Sequence, residues 1–213
     1  MNSSVITFPG SNCDRDMDVA LKKFGFKNKM VWHNDIELPK CDLVVLPGGF
    51  SYGDYLRCGS MASKSKIMQS IINFAKGGGN VMGVCNGFQI LVESGLLPGV
   101  LLRNKYLEFI CKNVFVKVNN KDNTYFRELK KDTLEFHIAH NEGNYFCTDE
   151  QIKEIDDNNQ IALNYSDSSG NISEKNNPNG SIKNIAGIFN KDKNVLGMMP
   201  HPERMIDSAL SGE

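Results

Sequence analysis

Short apolar runs alternate with amphipathic helical segments over the first hundred residues, and this alternation constrains the fold more than any other feature of the chain. Buried strands are predicted where such runs end at Pro, Gly or Asn, at residues 4–8, 29–32, 42–46 and 80–84. Apolar residues spaced three and four apart predict helices at residues 17–24 and 62–76, each followed by glycine. This succession builds a parallel sheet covered by helices on both faces.

The second half of the chain has a different pattern. Polar turns separate further strand-like runs, at residues 109–118, 133–139, 161–165, 184–189 and 195–199. Segments 119–124 and 166–180 are rich in Asn, Asp, Ser, Lys and Gly, which predicts exposed loops. The expected fold class is α/β, a three-layer α/β/α sandwich with a mostly parallel, flavodoxin-like central sheet and antiparallel additions in the C-terminal half. One domain is expected over residues 1–213.

The charge balance excludes some partners. Lys and Arg number 24 against 25 Asp and Glu, so no positive surplus is available to bind nucleic acid or an anionic membrane. The N-terminus has no signal-peptide pattern, and no stretch approaches the roughly 20 apolar residues that span a bilayer. We therefore expect a cytoplasmic protein with neither a nucleic-acid nor a membrane partner.

Cys85 lies between an apolar strand and an amphipathic helix. The other cysteines are scattered without paired metal-ligand spacing, which predicts reduced thiols and no metal site. Gly83 and Gly87 flank Cys85 at a distance of two residues and remove the side chains that would collide in a sharp strand-to-helix turn. The following helix directs N–H groups and a positive dipole end toward the sulfur, which favours a thiolate. The spacing fits a nucleophile elbow and, equally, a buried cysteine at a tight turn.

A base for this thiol must come from the four histidines of the chain. His201 lies between two prolines after a predicted strand, and Glu203 can accept a hydrogen bond from its ring. Alone, this segment also fits a surface histidine in a proline turn, but together with Cys85 it predicts a Cys–His–Glu triad. His137 and His140 are three residues apart in a strand, so they face opposite sides and make a poor metal pair. Both are interpreted as structural, with His140 at the cleft rim.

A glycine-rich loop follows the third predicted strand. Adjacent glycines at positions 48 and 49 let backbone N–H groups approach a substrate oxygen closely. Together with the N–H of Asn86, next to Cys85, the Gly49 region can form an oxyanion hole for acyl transfer. An ordinary glycine-rich turn is the alternative.

Three segments in this order resemble the class I (triad) glutamine amidotransferases: PGG at residues 47–49, GVCNGFQ at 83–89 and HPE at 201–203. Further motifs are similar to those of the glutaminase subunits of phosphoribosylformylglycinamidine synthase: FPGSNCD at 8–14, VWH at 31–33, GFSYGDYLR at 49–57, IAHNEGN at 138–144 and GMMPHPER at 197–204. The resemblance extends over essentially the whole chain.

The resemblance implies roles for individual residues. Cys85 is the expected nucleophile, His201 the base and then the acid, and Glu203 the residue that orients the imidazole. The implied oxyanion-hole and substrate-binding residues are Gly48, Gly49, Phe50, Asn86 and Gln89. Tyr52 and Arg57 are further candidate contacts for the ends of the glutamine molecule.

The resemblance also implies a reaction and partners. L-Glutamine is hydrolysed, and the ammonia is used in the ATP-dependent conversion of formylglycinamide ribonucleotide to its amidine. No cofactor is expected in this subunit, because ATP and Mg belong to a large synthetase partner, and the sequence has no GxxxxGK phosphate-binding loop. A small third subunit is expected to bridge the two.

The chain departs from the family pattern in two places. Asn141 stands where the family usually has glycine, a change that a left-handed backbone would tolerate. Family members usually continue into a C-terminal helix beyond the position of residue 213, so we expect a shortened chain whose stability and docking, rather than its triad, are affected.

Two rival functions remain at this point. A freestanding thiol hydrolase of the same fold, such as a γ-glutamyl hydrolase or a peptidase-like protein, would need no partner. A non-catalytic scaffold would usually have lost one of Cys85, His201 and Glu203, and none of them is lost.

Overall fold

The computed structural model describes residues 1–207. Its strands are β1 (Asn2–Thr7), β2 (Lys27–Trp32), β3 (Leu43–Leu46), β4 (Asn80–Val84), β5 (Val100–Leu102), β6 (Ile110–Val118), β7 (Thr133–His140), β8 (Asn144–Phe146), β9 (Ile161–Ser166), β10 (Ile185–Phe189) and β11 (Val195–Met198). The α-helices are α1 (Asp14–Lys23), α2 (Ile67–Lys76), α3 (Asn86–Glu93) and α4 (Asp149–Asp157). The expected end of the chain at residue 213 and the question of a C-terminal helix lie outside the described residues.

A nine-stranded sheet in the order β2-β1-β3-β4-β11-β10-β9-β6-β7 organises residues 1–207. The first five strands in this order are mutually parallel. The remaining four are added antiparallel. This confirms the α/β fold class, with a flavodoxin-like parallel part and antiparallel additions from the second half of the chain. The last strand of that half, β11, is not one of these additions, because it pairs parallel with β4.

The core lies between the sheet and the helices. Strands β1, β3 and β4 are buried along most of their length, as expected for parallel strands with helices on both faces. Helix α1 buries Met17, Ala20 and Leu21 of the predicted apolar stripe. Phe24, the fourth residue of that stripe, follows the last residue of the helix and is 68% exposed. Helix α3 is buried along nearly its whole length and carries the elbow at its start.

Some predicted boundaries were wrong. The helix predicted over residues 62–76 is a 3-10 turn at Ala62–Lys64 followed by α2, because Ser65 between them is extended, with φ −63° and ψ 152°. Helix α4 and strands β5 and β8 were not predicted. A capping box of Thr148 and Gln151 marks the start of α4. Its residue spacing is present in the sequence and could have predicted this helix start. The two missed strands have three residues each, too few for a pattern.

The polar segment 166–180 is not exposed throughout, contrary to prediction. Asn179 is 0% exposed. Its Nδ2 donates to the carbonyl of Gly143 at 2.8 Å, and Ser181 Oγ donates to the same oxygen at 3.1 Å. A buried polar side chain is tolerated because its hydrogen bonds are made within the protein.

Within residues 1–207, no helix combines the length and apolarity needed to cross a bilayer.

Candidate active site

The carboxyl ends of β3, β4 and β11 lie side by side, because these strands are parallel neighbours in the sheet. The segments that follow them contain Gly48, Cys85 and His201, which are far apart in sequence. The sheet therefore brings the three predicted parts of the site to one edge, where open α/β sheets bind ligands.

Cys85 has a strained backbone at the junction of β4 and α3. Its φ is 51° and its ψ is −107°, and its N–H donates to Met198 O at 2.7 Å. A Cβ on Gly87 would lie 1.9 Å from Leu46 O, and one on Gly83 would lie 2.6 Å from the Gly87 backbone. Both glycines are therefore required sterically, as predicted for a nucleophile elbow.

The sulfur of Cys85 lies in a nearly closed site. The residue is 6% exposed, and Sγ is 3.8 Å from Ala139 O at the end of β7. Little of the cysteine is therefore accessible to solvent.

His201 and Glu203 form a buried pair. Nδ1 of His201 is 2.6 Å from Oε1 of Glu203, and the two side chains are 2% and 0% exposed. The N–H of His201 donates to His137 O at 2.9 Å, which fixes the segment after β11 against β7. Nε2 of His201 is buried and has no hydrogen-bond partner among the described residues, so it is the ring atom left for chemistry.

The electrostatics of the pair favour a charged imidazole. Burial alone would lower the pKa of His201, but the negative charge of the Cys85 thiolate opposes it. Hydrogen bonds, including the one to Glu203, add to this effect, and the net result is a raised pKa for His201. A charged His201 imidazole is therefore the form that its neighbours stabilise.

The glycines of the loop at residues 47–49 have a packing role that the sequence did not indicate. A Cβ on Gly48 would lie 2.7 Å from Cε1 of His201, so the absence of a side chain at Gly48 makes room for the imidazole. Gly49 has φ +143°, and a Cβ there would lie 2.7 Å from Asn12 N. The N–H of Phe50 donates to Gly10 O at 3.0 Å, so this donor is already used within the protein.

The side chains of Asn86 and Gln89 tie the elbow to neighbouring loops. Asn86 Oδ1 accepts from Ser51 N at 3.1 Å, and its Nδ2 donates to Gln89 Oε1 at 2.8 Å. Gln89 Nε2 in turn donates to Glu142 O at 2.7 Å. The backbone N–H of Asn86 is at the first position of α3, where helix N–H groups lack intrahelical partners.

Tyr52 and Arg57 make protein contacts of their own. Tyr52 Oη lies 2.8 Å from His33 Nδ1. Arg57 forms a two-pronged ion pair with Glu93, with its Nη2 at 2.7 Å from Oε2. These contacts hold the loop that follows β3 onto β2 and onto the end of α3.

His140 and Asn104 form a buried unit that sequence reasoning did not find. His140 was predicted at the cleft rim, but it is 3% exposed, and Asn104 is 1% exposed. Asn104 Oδ1 lies 3.2 Å from His140 Nδ1 and accepts from Gly143 N at 3.1 Å. Burial lowers the pKa of His140 to about 4, and the positive charge of His201 adds to the shift.

The φ of Asn141, next in sequence, is not positive, so no left-handed backbone is needed there.

The neutral His140 predicts a loss of stability in mild acid. Its pKa is about 4 when folded against an ordinary value of 6.5, so the unfolded chain binds more protons between these values. We expect the Tm of the wild-type protein to fall as the pH drops below 6.5. We expect the Tm of His140→Gln, taken relative to its own value at pH 7, to change less between pH 5 and pH 7. Equal slopes for the two proteins, measured by circular dichroism, would contradict the assignment. His201, whose pKa is raised, acts on stability in the opposite direction: its contribution decreases as the pH rises, and only above pH 6.5.

A further sulfur lies beside the pair. Cys13 Sγ and ligand-type atoms of His201 and Glu203 are all within 4.8 Å of one another, the spacing of a metal site. However, the guanidinium of Arg204 donates to Cys13 Sγ at 3.0 Å, and Nδ1 of His201 is already paired with Glu203. A cation would meet a guanidinium charge there, so we interpret these residues as a hydrogen-bonded cluster.

A strained cysteine elbow and a buried His–Glu pair at one edge of a parallel sheet are the features of a triad glutamine amidotransferase. Residues 1–211 match the family model described as the CobB/CobQ-like glutamine amidotransferase domain. The chain belongs to this glutamine amidotransferase family, and within it to the branch of phosphoribosylformylglycinamidine synthase subunit PurQ, as its relatives show.

The relatives are similar over nearly their whole length. Subunit PurQ of Pelagibacter ubique is 84% identical over 213 residues, covering 100% of this chain and 94% of that protein. Subunit PurQ of Chlorobaculum parvum is 50% identical over 212 residues, covering 99% of this chain and 84% of the relative. A chain in the solved structure of PurLQS from Thermotoga maritima is 40% identical, with a TM-score of 0.86, covering 98% of this chain and 91% of that one.

Proposed function

We propose that this chain is the glutaminase subunit of phosphoribosylformylglycinamidine synthase. It hydrolyses L-glutamine through a cysteine thioester and supplies ammonia to an ATP-dependent synthetase, which converts formylglycinamide ribonucleotide to formylglycinamidine ribonucleotide in de novo purine biosynthesis. The observation that carries the proposal is the buried His201–Glu203 pair at the same sheet edge as the strained Cys85, in a chain 84% identical to a PurQ subunit.

In the proposed mechanism the Cys85 thiolate attacks the side-chain carbonyl carbon of glutamine. The imidazolium of His201 donates its Nε2 proton to the departing ammonia, which leaves a γ-glutamyl thioester on the sulfur. Neutral His201 then takes a proton from water, and the resulting hydroxide attacks the thioester and releases glutamate. Glu203, bonded to Nδ1 at 2.6 Å, keeps the ring in the tautomer that presents Nε2 to the reaction.

The oxyanion of the tetrahedral intermediate requires nearby N–H donors. The backbone N–H groups of Gly49 and Asn86 are the proposed donors, since the Phe50 N–H is bonded to Gly10 O. The Asn86 side chain supports this arrangement because it bonds Ser51 N, just after the loop, at 3.1 Å. Gly48 and Phe50 then act by shaping the loop, and Gln89 by holding residue 142 beside the opening.

The synthetase partner supplies the remaining chemistry. ATP and Mg are proposed to bind the large subunit, with a small bridging subunit completing the complex and no cofactor in this chain. The similarity to a chain of PurLQS supports an assembly of this kind. The cytoplasm is the proposed location, in keeping with the proposed role in purine biosynthesis.

The nearly closed site predicts dependence on the partner. Cys85 is 6% exposed, so a shift of the surrounding loops on docking of the synthetase would ease the entry of glutamine. We expect the isolated chain to hydrolyse glutamine weakly and the complete complex to do so at least about tenfold faster. Glutamate release is measured with and without the synthetase, its nucleotide substrate and ATP. The same rate in both conditions would favour a freestanding thiol hydrolase.

A further inference from the structure

Cys13 provides a second buried sulfur next to the catalytic imidazole, and the proposed mechanism does not use it. The residue is 2% exposed, and its Sγ is within 4.8 Å of ligand-type atoms of both His201 and Glu203. It precedes α1 at the N-cap position, but its side chain makes no capping hydrogen bond to the helix. The sulfur is therefore directed to the catalytic pair rather than to the helix end.

The backbone holds Cys13 firmly in this place. Its N–H donates to Gly48 O at 3.3 Å. A Cβ on Gly48 would lie 3.2 Å from Cys13 Sγ and 2.7 Å from Cε1 of His201. Sulfur and imidazole thus pack against the same bare glycine, and neither can shift without disturbing the other.

Hydrogen bonds orient the sulfur. The thiol of Cys13 lies 3.3 Å from Asn12 Oδ1, to which it donates, and it accepts from Arg204 Nη2 at 3.0 Å. The electron-rich side of the sulfur is therefore turned toward the cationic groups of the cluster. With water excluded, even a partial negative charge beside an imidazolium has a sizeable effect.

Several charged groups act on the same ring. Glu203 is bonded to His201 directly, and negative charge on Cys85 also raises the pKa of the ring. Arg204 Nε is 3.8 Å from Asp16 Oδ2, so its charge is partly balanced at the surface. On the side of β7, burial and the positive charge of His201 lower the pKa of His140, so that His140 adds no positive charge beside the ring.

We propose that Cys13 is a positioning residue for His201, a second partner beside Glu203 that fixes the ring and stabilises its protonated form. Cys13 does not contact the substrate and acts only through the imidazole. The proposal rests on the proposed function, in which the His201 imidazolium protonates the departing ammonia.

The test is the pH profile of kcat/KM for glutamine hydrolysis by the complete complex. The alkaline limb reports loss of the imidazolium proton in the free enzyme. Cys13→Ala and Cys13→Val should move this limb to lower pH by about 0.5 to 1 unit, because the electron-rich sulfur beside the charged ring is removed. Cys13→Ser, which keeps lone pairs at this position, should restore at least half of the shift. Cys147→Ala, at a buried cysteine outside the site, should leave the limb where it is.

The outcomes separate this inference from the function on which it rests. An alkaline limb that does not move in Cys13→Ala, whatever its rate, overturns the positioning role. If thermal melting shows that Cys13→Ala does not fold, Cys13→Val, which has a larger apolar side chain, is tested instead. An alkaline limb that does not move in Cys13→Val then overturns the positioning role. A wild-type complex that releases no glutamate from glutamine would instead overturn the proposed function.

Discussion

Replacing Cys85 with alanine should lower glutamine-dependent synthesis by at least about 1,000-fold, because no other group can form the thioester. Synthesis from added ammonia should continue at the wild-type rate, since ammonia bypasses this chain and reaches the synthetase directly. Both rates are measured on the same complex as formation of the amidine product. The contrast between the two nitrogen donors assigns the loss to the glutaminase step rather than to failed assembly.

A matched control for this substitution is Cys111→Ala, at an exposed cysteine on β6. It should retain both activities. Treatment with a glutamine-mimicking electrophile, followed by mass spectrometry, should label wild-type protein at Cys85 and leave Cys85→Ala unlabelled. Retained glutamine-dependent synthesis in Cys85→Ala would refute the nucleophile assignment, and absence of labelling in the wild type would favour a non-catalytic scaffold.

Replacing Gly87 with alanine should destabilise the protein by about 3 kcal/mol or more. Alanine is ordinarily favoured over glycine inside a helix by up to about 1 kcal/mol, so the expected sign is the reverse of the usual one. The reason is steric: the new Cβ would lie 1.9 Å from Leu46 O, and neither backbone segment can move without displacing the elbow. Glutaminase activity should also fall by about 100-fold or more, because the sulfur is moved away from His201.

Gly77 at the end of α2 provides the control. A Cβ there would lie 3.4 Å from the carbonyl oxygens of Asn73 and Phe74, close to ordinary contact, and its φ is −78°. Gly77→Ala should change the free energy of unfolding by less than about 0.5 kcal/mol. Urea unfolding of both variants measures the difference, and equal stability of Gly87→Ala and Gly77→Ala would contradict the steric account.

The strained backbone of Cys85 and the close packing around it together hold the sulfur in one position. A cysteine with φ 51° costs free energy that the packing of Gly83 and Gly87 against neighbouring backbone must offset. In return, the sulfur is fixed at the amino end of α3, facing the edge of the sheet. A site of this kind is preorganised, so little rearrangement of the nucleophile is needed when glutamine enters.

The sequence by itself predicted the parallel part of the sheet and the three segments that contain the candidate site residues. Alternating strands and helices specify the parallel strands that Gly48 and Cys85 follow. They did not specify that β11, which precedes His201, lies parallel beside β4. The glycines around Cys85 and the two-residue step from His201 to Glu203 are local relationships. Local relationships can be predicted from sequence because backbone geometry fixes which atoms can meet over such short separations.

Only the tertiary structure decided what surrounds these parts. Cys13 meets Arg204, which is 191 positions away, and Asn104 meets His140 across 36 positions. The N–H of Phe50 bonds Gly10 O and is not free for an oxyanion, and Gly48 is bare because an imidazole lies against it. No periodicity marks such contacts, since each depends on packing between segments that fold together only once the whole sheet has formed.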